Sequence, residues 1–238
     1  MRLGIFGGTF NPIHFGHLRT AEEVRYKLDL DRVIFIPSGN PPLKSLDLTD
    51  ASHRYAMARL ATKSNRYFDV SDIELKQPDK SYTVNTLQKL CELYPRDELY
   101  FILGLDAFLD MPNWWQPERL IRMVEFIVVP RPGFDTADIA KSPYMEDSNE
   151  LLVTSNESPP PQPPLVKGGS EGGYSSLVTR HSLLSLKLKG GRNATLVPVT
   201  PLGISSTDIR ALVKERKSIG YLLPEAVEEY ISAHGLYR

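Results

Sequence analysis

The chain is predicted to fold as a doubly wound α/β protein, a parallel sheet with helices on both faces and a small helical portion at the C-terminal end. Three observations lead there. Leu3 to Phe6 is a short apolar run, as in a buried strand, and it is followed by Gly7-Gly8 and then by Leu18, Ala21, Val24 and Leu28 at helical spacing. Val33-Ile34-Phe35-Ile36 then supplies a second buried strand, and a strand, a helix and a strand in so short a stretch make a right-handed parallel βαβ unit. Two more apolar runs, Leu99 to Leu103 and Phe126 to Val129, alternate with helical patterns and extend the sheet.

The composition sets the outer limits. The 238 residues suit one α/β domain, or one domain with a large insertion, and can bury a sizeable core. The formal net charge is −1, so no global positive field draws nucleic acid or a membrane surface. Cys91 is the only cysteine and lies on a helical stripe with Leu87, Leu90 and Tyr94. That excludes an intrachain disulfide or a cysteine metal cluster, and a cytoplasmic location is expected. Neither a secretory leader nor a run able to cross a bilayer is expected.

The stretch Gly7-Gly8-Thr9-Phe10-Asn11-Pro12-Ile13-His14-Phe15-Gly16-His17 carries most of the chemistry. A strand, a glycine turn and a helix start place unpaired amides at the positive end of a helix dipole, where phosphate binds. Gly7 and Gly8 let a phosphate approach the main chain closely. Pro12 suits a chain about to enter a helix. His14 and His17 are three apart and share one face of the first turn. Imidazoles there can donate to phosphoryl oxygens, and protonation coupled to nucleotide binding is an expectation.

The chain then continues through a loop, Ser38-Gly-Asn-Pro-Pro-Leu-Lys44, at the carboxyl end of the second strand, where open α/β sheets bind ligands. Asp50 to Lys63 reads as a helix with Ala51, Tyr55, Ala58 and Ala61 on its apolar face. Phe68 to Leu75 alternates like an edge strand. Ser81-Tyr82-Thr83 opens the next helix, and its amides can hold a carboxylate. The strand Glu98 to Leu103 ends in Gly104-Leu105-Asp106, and a carboxylate at that edge can accept from ribose hydroxyls. Trp114 and Trp115 follow. An indole face can stack on a planar ring, and Trp115 is expected in the core.

Residues from about 134 to 193 read as an insertion. Ser158-Pro-Pro-Pro-Gln-Pro-Pro and Gly168-Gly-Ser-Glu-Gly-Gly are not sequences of regular structure, and poor order is expected between about 156 and 173. Leu177 to Leu188 is expected to form a short helix, and Thr195 to Val199 a short strand. Ser205, Ser206 and Thr207 then cap a helix running through Ile209, Leu212 and Val213, a second helix start able to hold phosphate. Arg210, one turn in, can reach back to phosphate oxygens with its planar fork. A last helix begins at Pro224 with Val227, Tyr230 and Ile231 as its buried stripe, and His234 serves as a helix-end partner. His53 and His181 are expected to have no partner and are given no chemistry.

The N-terminal motif resembles the signature of the nucleotidyltransferase superfamily that carries H-x-G-H. That resemblance implies a Rossmann-like fold and attack on the α-phosphate of a nucleoside triphosphate, with Gly7, Gly8, Thr9 and Phe10 at the ATP and His14 and His17 in catalysis. The Ile204-Ser-Ser-Thr-x-Ile-Arg210 pattern is similar to the superfamily's second nucleotide motif, which puts Ser206 and Thr207 at the ATP and Arg210 beside the histidines. Ser81-Tyr-Thr-x-x-Thr-Leu87 resembles the bacterial nicotinate mononucleotide adenylyltransferases. Their acceptor carries a ring carboxylate, so this resemblance implies acceptor contacts at Tyr82 and Thr83. It also implies an adenylate-side ribose contact at Gly104 and Asp106, stacking at Trp114 and a phosphate contact at Lys44. The family commonly has Pro-Pro-His-Lys where this chain has Leu43, so that histidine's role is lost here.

The implied reaction joins ATP and nicotinate mononucleotide, with Mg2+ held mainly by ATP phosphates and water and no protein metal cage. Phosphopantetheine adenylyltransferase and a non-enzymatic nucleotide sensor stay open as alternatives. No nucleic-acid or membrane partner is expected, and a homo-oligomer stays open.

Overall fold

A computed structural model describes residues 1–42, 47–77, 79–130, 135–146, 152–154 and 183–238. The strands are β1 (Arg2–Gly8), β2 (Arg32–Pro37), β3 (Phe68–Val70), β4 (Glu98–Gly104), β5 (Glu125–Val129), β6 (Leu152–Thr154), β7 (Leu183–Lys187) and β8 (Asn193–Leu196). The helices are α1 (Phe15–Lys27), α2 (Ala51–Thr62), α3 (Thr83–Leu93), α4 (Leu105–Asp110), α5 (Pro117–Leu120), α6 (Ser206–Lys214) and α7 (Glu225–Ala233). One sheet contains all eight strands, in the order β3-β2-β1-β4-β5-β8-β7-β6.

The first six strands of that order pair in parallel, and β7 and β6 join antiparallel at one edge. The chain order reverses between β1 and β4, so their connections leave in opposite directions and open a crevice at the carboxyl ends. Phe6 pairs with Ile102, and Gly8 and Gly104 each lie two residues further on, at the same edge.

Alternation along the strands fills two cores. Ile34 and Ile36 join Leu87, Leu90 and Phe108 on one face, while Val33 and Phe35 join Val24, Met57, Ile209 and Val227 on the other. Helices therefore cover both faces, as a buried parallel sheet requires.

Four expectations need correction. The edge strand at Phe68 ends at Val70, and residues 73–76 form turns. The strand expected from Thr195 to Val199 runs from Asn193 to Leu196, in parallel with β5. The helix expected from Leu177 to Leu188 is strand β7 in its described part. Leu186 and Leu188 are two apart and both buried, so a period of two prevails over an apparent helical spacing once β8 offers a partner. His53 does have a partner, because its Nδ1 lies 3.0 Å from the Tyr230 hydroxyl. The Pro/Gly-rich stretch and His181 lie outside the described residues.

Candidate active site

The N-terminal motif is built differently from a glycine turn. Strand β1 continues through Gly8, and the residue that turns the chain is Phe10, with φ of 46°. A left-handed conformation is unusual for a side chain of this size. Packing holds it: Phe10 is buried, with its ring 5.8 Å from Phe35, 5.7 Å from Phe6 and 5.1 Å from His17.

The two histidines sit at the start of α1. His14 is the N-cap and is 6% exposed, and His17 is the third helical residue. Their rings face each other with centroids 3.8 Å apart. The His14 N–H donates to His17 Nδ1 at 3.3 Å. A ring nitrogen that accepts carries no proton, so in the neutral ring the proton of His17 is on Nε2. Helix α1 has no acidic residue in its first turn, which leaves the positive end of its dipole uncancelled by its own side chains.

The second motif reaches the first directly. Ser206 Oγ donates to the Pro12 carbonyl at 2.8 Å, and Arg210 Nη1 donates to the Asn11 carbonyl at 2.8 Å. The Phe15 N–H donates to the Leu222 carbonyl at 3.0 Å, so the segment before α7 also braces α1. Residues 14 and 17 and residues 206 and 210 are thus joined across residues 11 and 12, although the chain separates them by nearly its full length. Arg210 also directs its fork, at 3.5 Å, to Thr207 Oγ1. Its Nε is buried with no hydrogen-bond partner among the described residues.

Three further groups stand at the carboxyl edge. Gly104 is the N-cap of α4, and Asp106 lies in its first turn, past the end of β4. Tyr82 is the N-cap of α3 and Thr83 its first residue; that helix start has no side-chain cap and no acidic residue in its first turn. Trp114 packs half-buried against the core, and its indole N–H donates to Asp110 Oδ2 at 3.2 Å. The expectation of Trp115 in the core is corrected: it is 55% exposed, with its ring 5.6 Å from that of Tyr82. Trp114 is extended, with φ of −80° and ψ of 168°, so the two consecutive side chains point to opposite sides and only the first indole faces inward. Lys44 lies outside the described residues.

Sequence reasoning missed a buried polar frame under these groups. Asn11 is 3% exposed; its amide donates to the Asp47 carbonyl at 2.9 Å and accepts from the Tyr237 hydroxyl at 2.9 Å. Burial pushes the Tyr237 phenol up to about 12, so that hydroxyl keeps its proton and donates at neutral pH. Arg54 is 1% exposed and lies among residues of the 7–11 motif and the loop after β2. A signal for it existed: Arg54 shares a helical stripe with Ala58 and Ala61, which face the core.

Comparison with known proteins places this geometry among relatives. The family described as cytidylyltransferase-like matches residues 5–212. A probable nicotinate-nucleotide adenylyltransferase of Desulfitobacterium hafniense (strain Y51) is 40% identical over 238 residues, covering 100% of this chain and 96% of the relative. One from Moorella thermoacetica is 43% identical over 239 residues, covering 100% of this chain and 92% of the relative. Among solved structures, the Plasmodium falciparum nicotinic acid mononucleotide adenylyltransferase complexed with NaAD superposes with a TM-score of 0.68 at 19% identity, over 99% of this chain and 97% of that one. At that identity the superposition speaks for the fold alone, a Rossmann-like α/β sheet.

Proposed function

The chain belongs to the cytidylyltransferase-like family and, within it, to the nicotinate-nucleotide adenylyltransferases; from that premise we propose how its own residues carry out the reaction. The enzyme is a nucleotidyltransferase of NAD biosynthesis, transferring the adenylyl group of ATP to nicotinate mononucleotide and releasing pyrophosphate. The observation that carries the residue-level reading is the junction of α1 and α6 across Asn11 and Pro12, with two adjacent imidazoles on it.

The phosphate of nicotinate mononucleotide attacks the α-phosphorus of ATP. Its oxygen forms the new P–O bond, and the bond from the α-phosphorus to the bridging oxygen breaks, with both electrons leaving on pyrophosphate. That nucleophile is anionic at neutral pH, so no strong general base is required. The work is to hold two repelling anions in line and to stabilise charge at the transferring phosphorus. His17, with Nδ1 accepting from the main chain, directs an Nε2 proton to a phosphoryl oxygen. The amide-rich start of α1 and His14 hold the triphosphate beside Gly7, Gly8, Thr9 and Phe10, while Ser206, Thr207 and Arg210 keep the turn in shape. Asp106, beside Gly104, accepts from the adenylate ribose.

The acceptor lies toward α3. Its ring carboxylate is favoured at the uncapped start of that helix, at Tyr82 and Thr83, whereas a neutral amide gains less there. Trp114 stacks on the pyridine ring and Lys44 contacts the acceptor phosphate. Among the described residues, no group of three or more His, Cys, Asp or Glu converges to cage a metal ion. A Mg2+ held mainly by ATP phosphates and water would neutralise charge on the triphosphate when bound. We take the chain as one nucleotidyltransferase domain, 1–238, with its insertion at about 134–193 and a cytoplasmic setting; no described helix is long and apolar enough to cross a membrane.

Pyrophosphate release with ATP and each acceptor in turn tests the reading. Release with nicotinate mononucleotide is expected. Release with phosphopantetheine alone would overturn the acceptor, and binding of ATP without turnover on any acceptor would point to a sensor.

A further inference from the structure

Arg54 is a buried cation with four hydrogen bonds to neighbouring segments and no ion pair among the described residues. Its Nε donates to the Thr49 carbonyl at 2.8 Å, Nη1 to the Thr9 carbonyl at 2.8 Å and to Ser38 Oγ at 3.3 Å, and Nη2 to the Gly39 carbonyl at 3.3 Å. Burial pulls its pKa down, and the charges of Glu74 and Asp50 oppose that. An arginine stays protonated under such a shift. Burying an unpaired guanidinium is unfavourable, so a site that keeps one needs a reason.

The bonds lead to two different substrate regions. Thr9 belongs to the triphosphate motif. Its peptide is trans, so a carbonyl held by Arg54 turns the Phe10 N–H to the opposite side. Ser38 and Gly39 begin the loop after β2, and that loop is fastened to the acceptor side. The Gly39 N–H donates to Glu74 Oε2 at 3.3 Å, and Thr86 Oγ1, on α3, donates to Glu74 Oε1 at 2.7 Å. The Ser81 N–H donates to the Asn40 carbonyl at 2.8 Å, and the Asn40 N–H donates to Ser81 Oγ at 3.0 Å. Gly39 has to be glycine, because a Cβ there would collide with the Glu74 carbonyl.

We infer that Arg54 is a positioning residue that ties the ATP turn to the acceptor loop, so that the two bound phosphates meet in one fixed alignment. The inference rests on the reaction described above for its two substrates. The planar fork is what matters: one guanidinium reaches Thr9 and Gly39 at once, and a lysine ammonium on the same helix cannot hold both in one plane. Attack on phosphorus is sensitive to alignment, so a small relative shift between the substrates acts on turnover more than on the binding of either one.

Arg54→Lys separates this role from simple core packing. The expected result is a fall in kcat of about thirtyfold, with KM for ATP and for nicotinate mononucleotide each within about threefold of the parent. Hydrogen exchange on the ligand-free protein gives a readout apart from activity. Amides of residues 9–11 and 39–40 should exchange at least about tenfold faster in the variant, while those of β1 and β4 keep their rates. Unchanged kcat in a folded variant, or faster exchange spread evenly over the sheet, would overturn the inference. If the variant does not fold, native-state exchange on the parent protein decides: the two segments should open in one event with the same denaturant dependence, and separate openings would refute the link. A parent protein inactive with both substrates would refute the reaction, and the exchange result would still stand or fall by itself.

Discussion

The starts of α1 and α6 lie side by side and are finished in opposite ways. At α6, Ser205 is the N-cap: its Oγ accepts from the Asp208 N–H at 3.1 Å and donates to the Asp208 carboxylate at 2.7 Å. An acidic side chain thus sits on the positive end of that dipole, and one of its free amides is capped by the protein's own hydroxyl. At α1 the cap is an imidazole, the third residue is another imidazole, and the first turn holds no acidic residue. One helix end is closed by the protein. In the proposed reaction the other receives the triphosphate. The closed end still contributes, because Ser206 and Arg210 project from it to grip the carbonyls of residues 12 and 11. The difference teaches that the second motif also braces the turn of the first.

This division of labour can be broken experimentally, starting with the largest effect. His17→Ala removes the side chain aimed at developing charge and should lower kcat by about a hundredfold or more, with a smaller change in the KM for ATP. Steady-state kinetics on a folded variant would decide, and parental turnover would remove His17 from the chemistry. Arg210→Ala removes a brace and should lower kcat by about thirtyfold; saturating guanidinium in the buffer should restore part of it, since the lost group is a donor to a carbonyl. A loss in that variant as large as that of His17→Ala would mean that Arg210 meets phosphate directly.

Trp114→Ala concerns the third helix start, at α3, which resembles α1 in lacking an acidic residue. It should weaken nicotinate mononucleotide about tenfold by titration calorimetry and ATP hardly at all. Equal weakening of both would contradict the stacking role, and the same result from the exposed Trp115 would transfer it there. The smallest effect belongs to the closed helix end. Ser205→Ala should remove about 1 kcal/mol of stability, a fall in Tm of roughly 2–4 °C, and leave kcat unchanged. A Ser205→Ala enzyme with parental Tm and poor turnover would reverse the comparison, making α6 the ligand-bearing end.

Legibility followed the range of the interactions. The β1-turn-α1 unit could be read because Leu3 to Leu28 carries its whole pattern locally, and the α6 cap could be read for the same reason. The turn itself was misjudged. Two adjacent glycines suggest the bend, yet the left-handed residue is Phe10, held there by aromatic rings from β1, β2 and α1 that no local rule reveals. Trp115 was misjudged similarly, since an extended pair of adjacent tryptophans sends one indole inward and one outward, and which is which depends on what packs against them. Strand β7 was read as helix because its leucines fit either period until β8 is beside it.

By itself, the amino-acid sequence determined the kinds of most elements outside the insertion, their order along the chain, and which residue types stand at the carboxyl ends of the strands. Those follow from side-chain periodicity and capping chemistry, which act over a few residues. Only the tertiary structure decided that Asn11 receives Arg210 from nearly two hundred residues away, and that Arg54 is buried between Thr9 and Gly39. A hydrogen bond between distant segments leaves no periodic trace in either of them, and its partners are chosen by how the sheet winds.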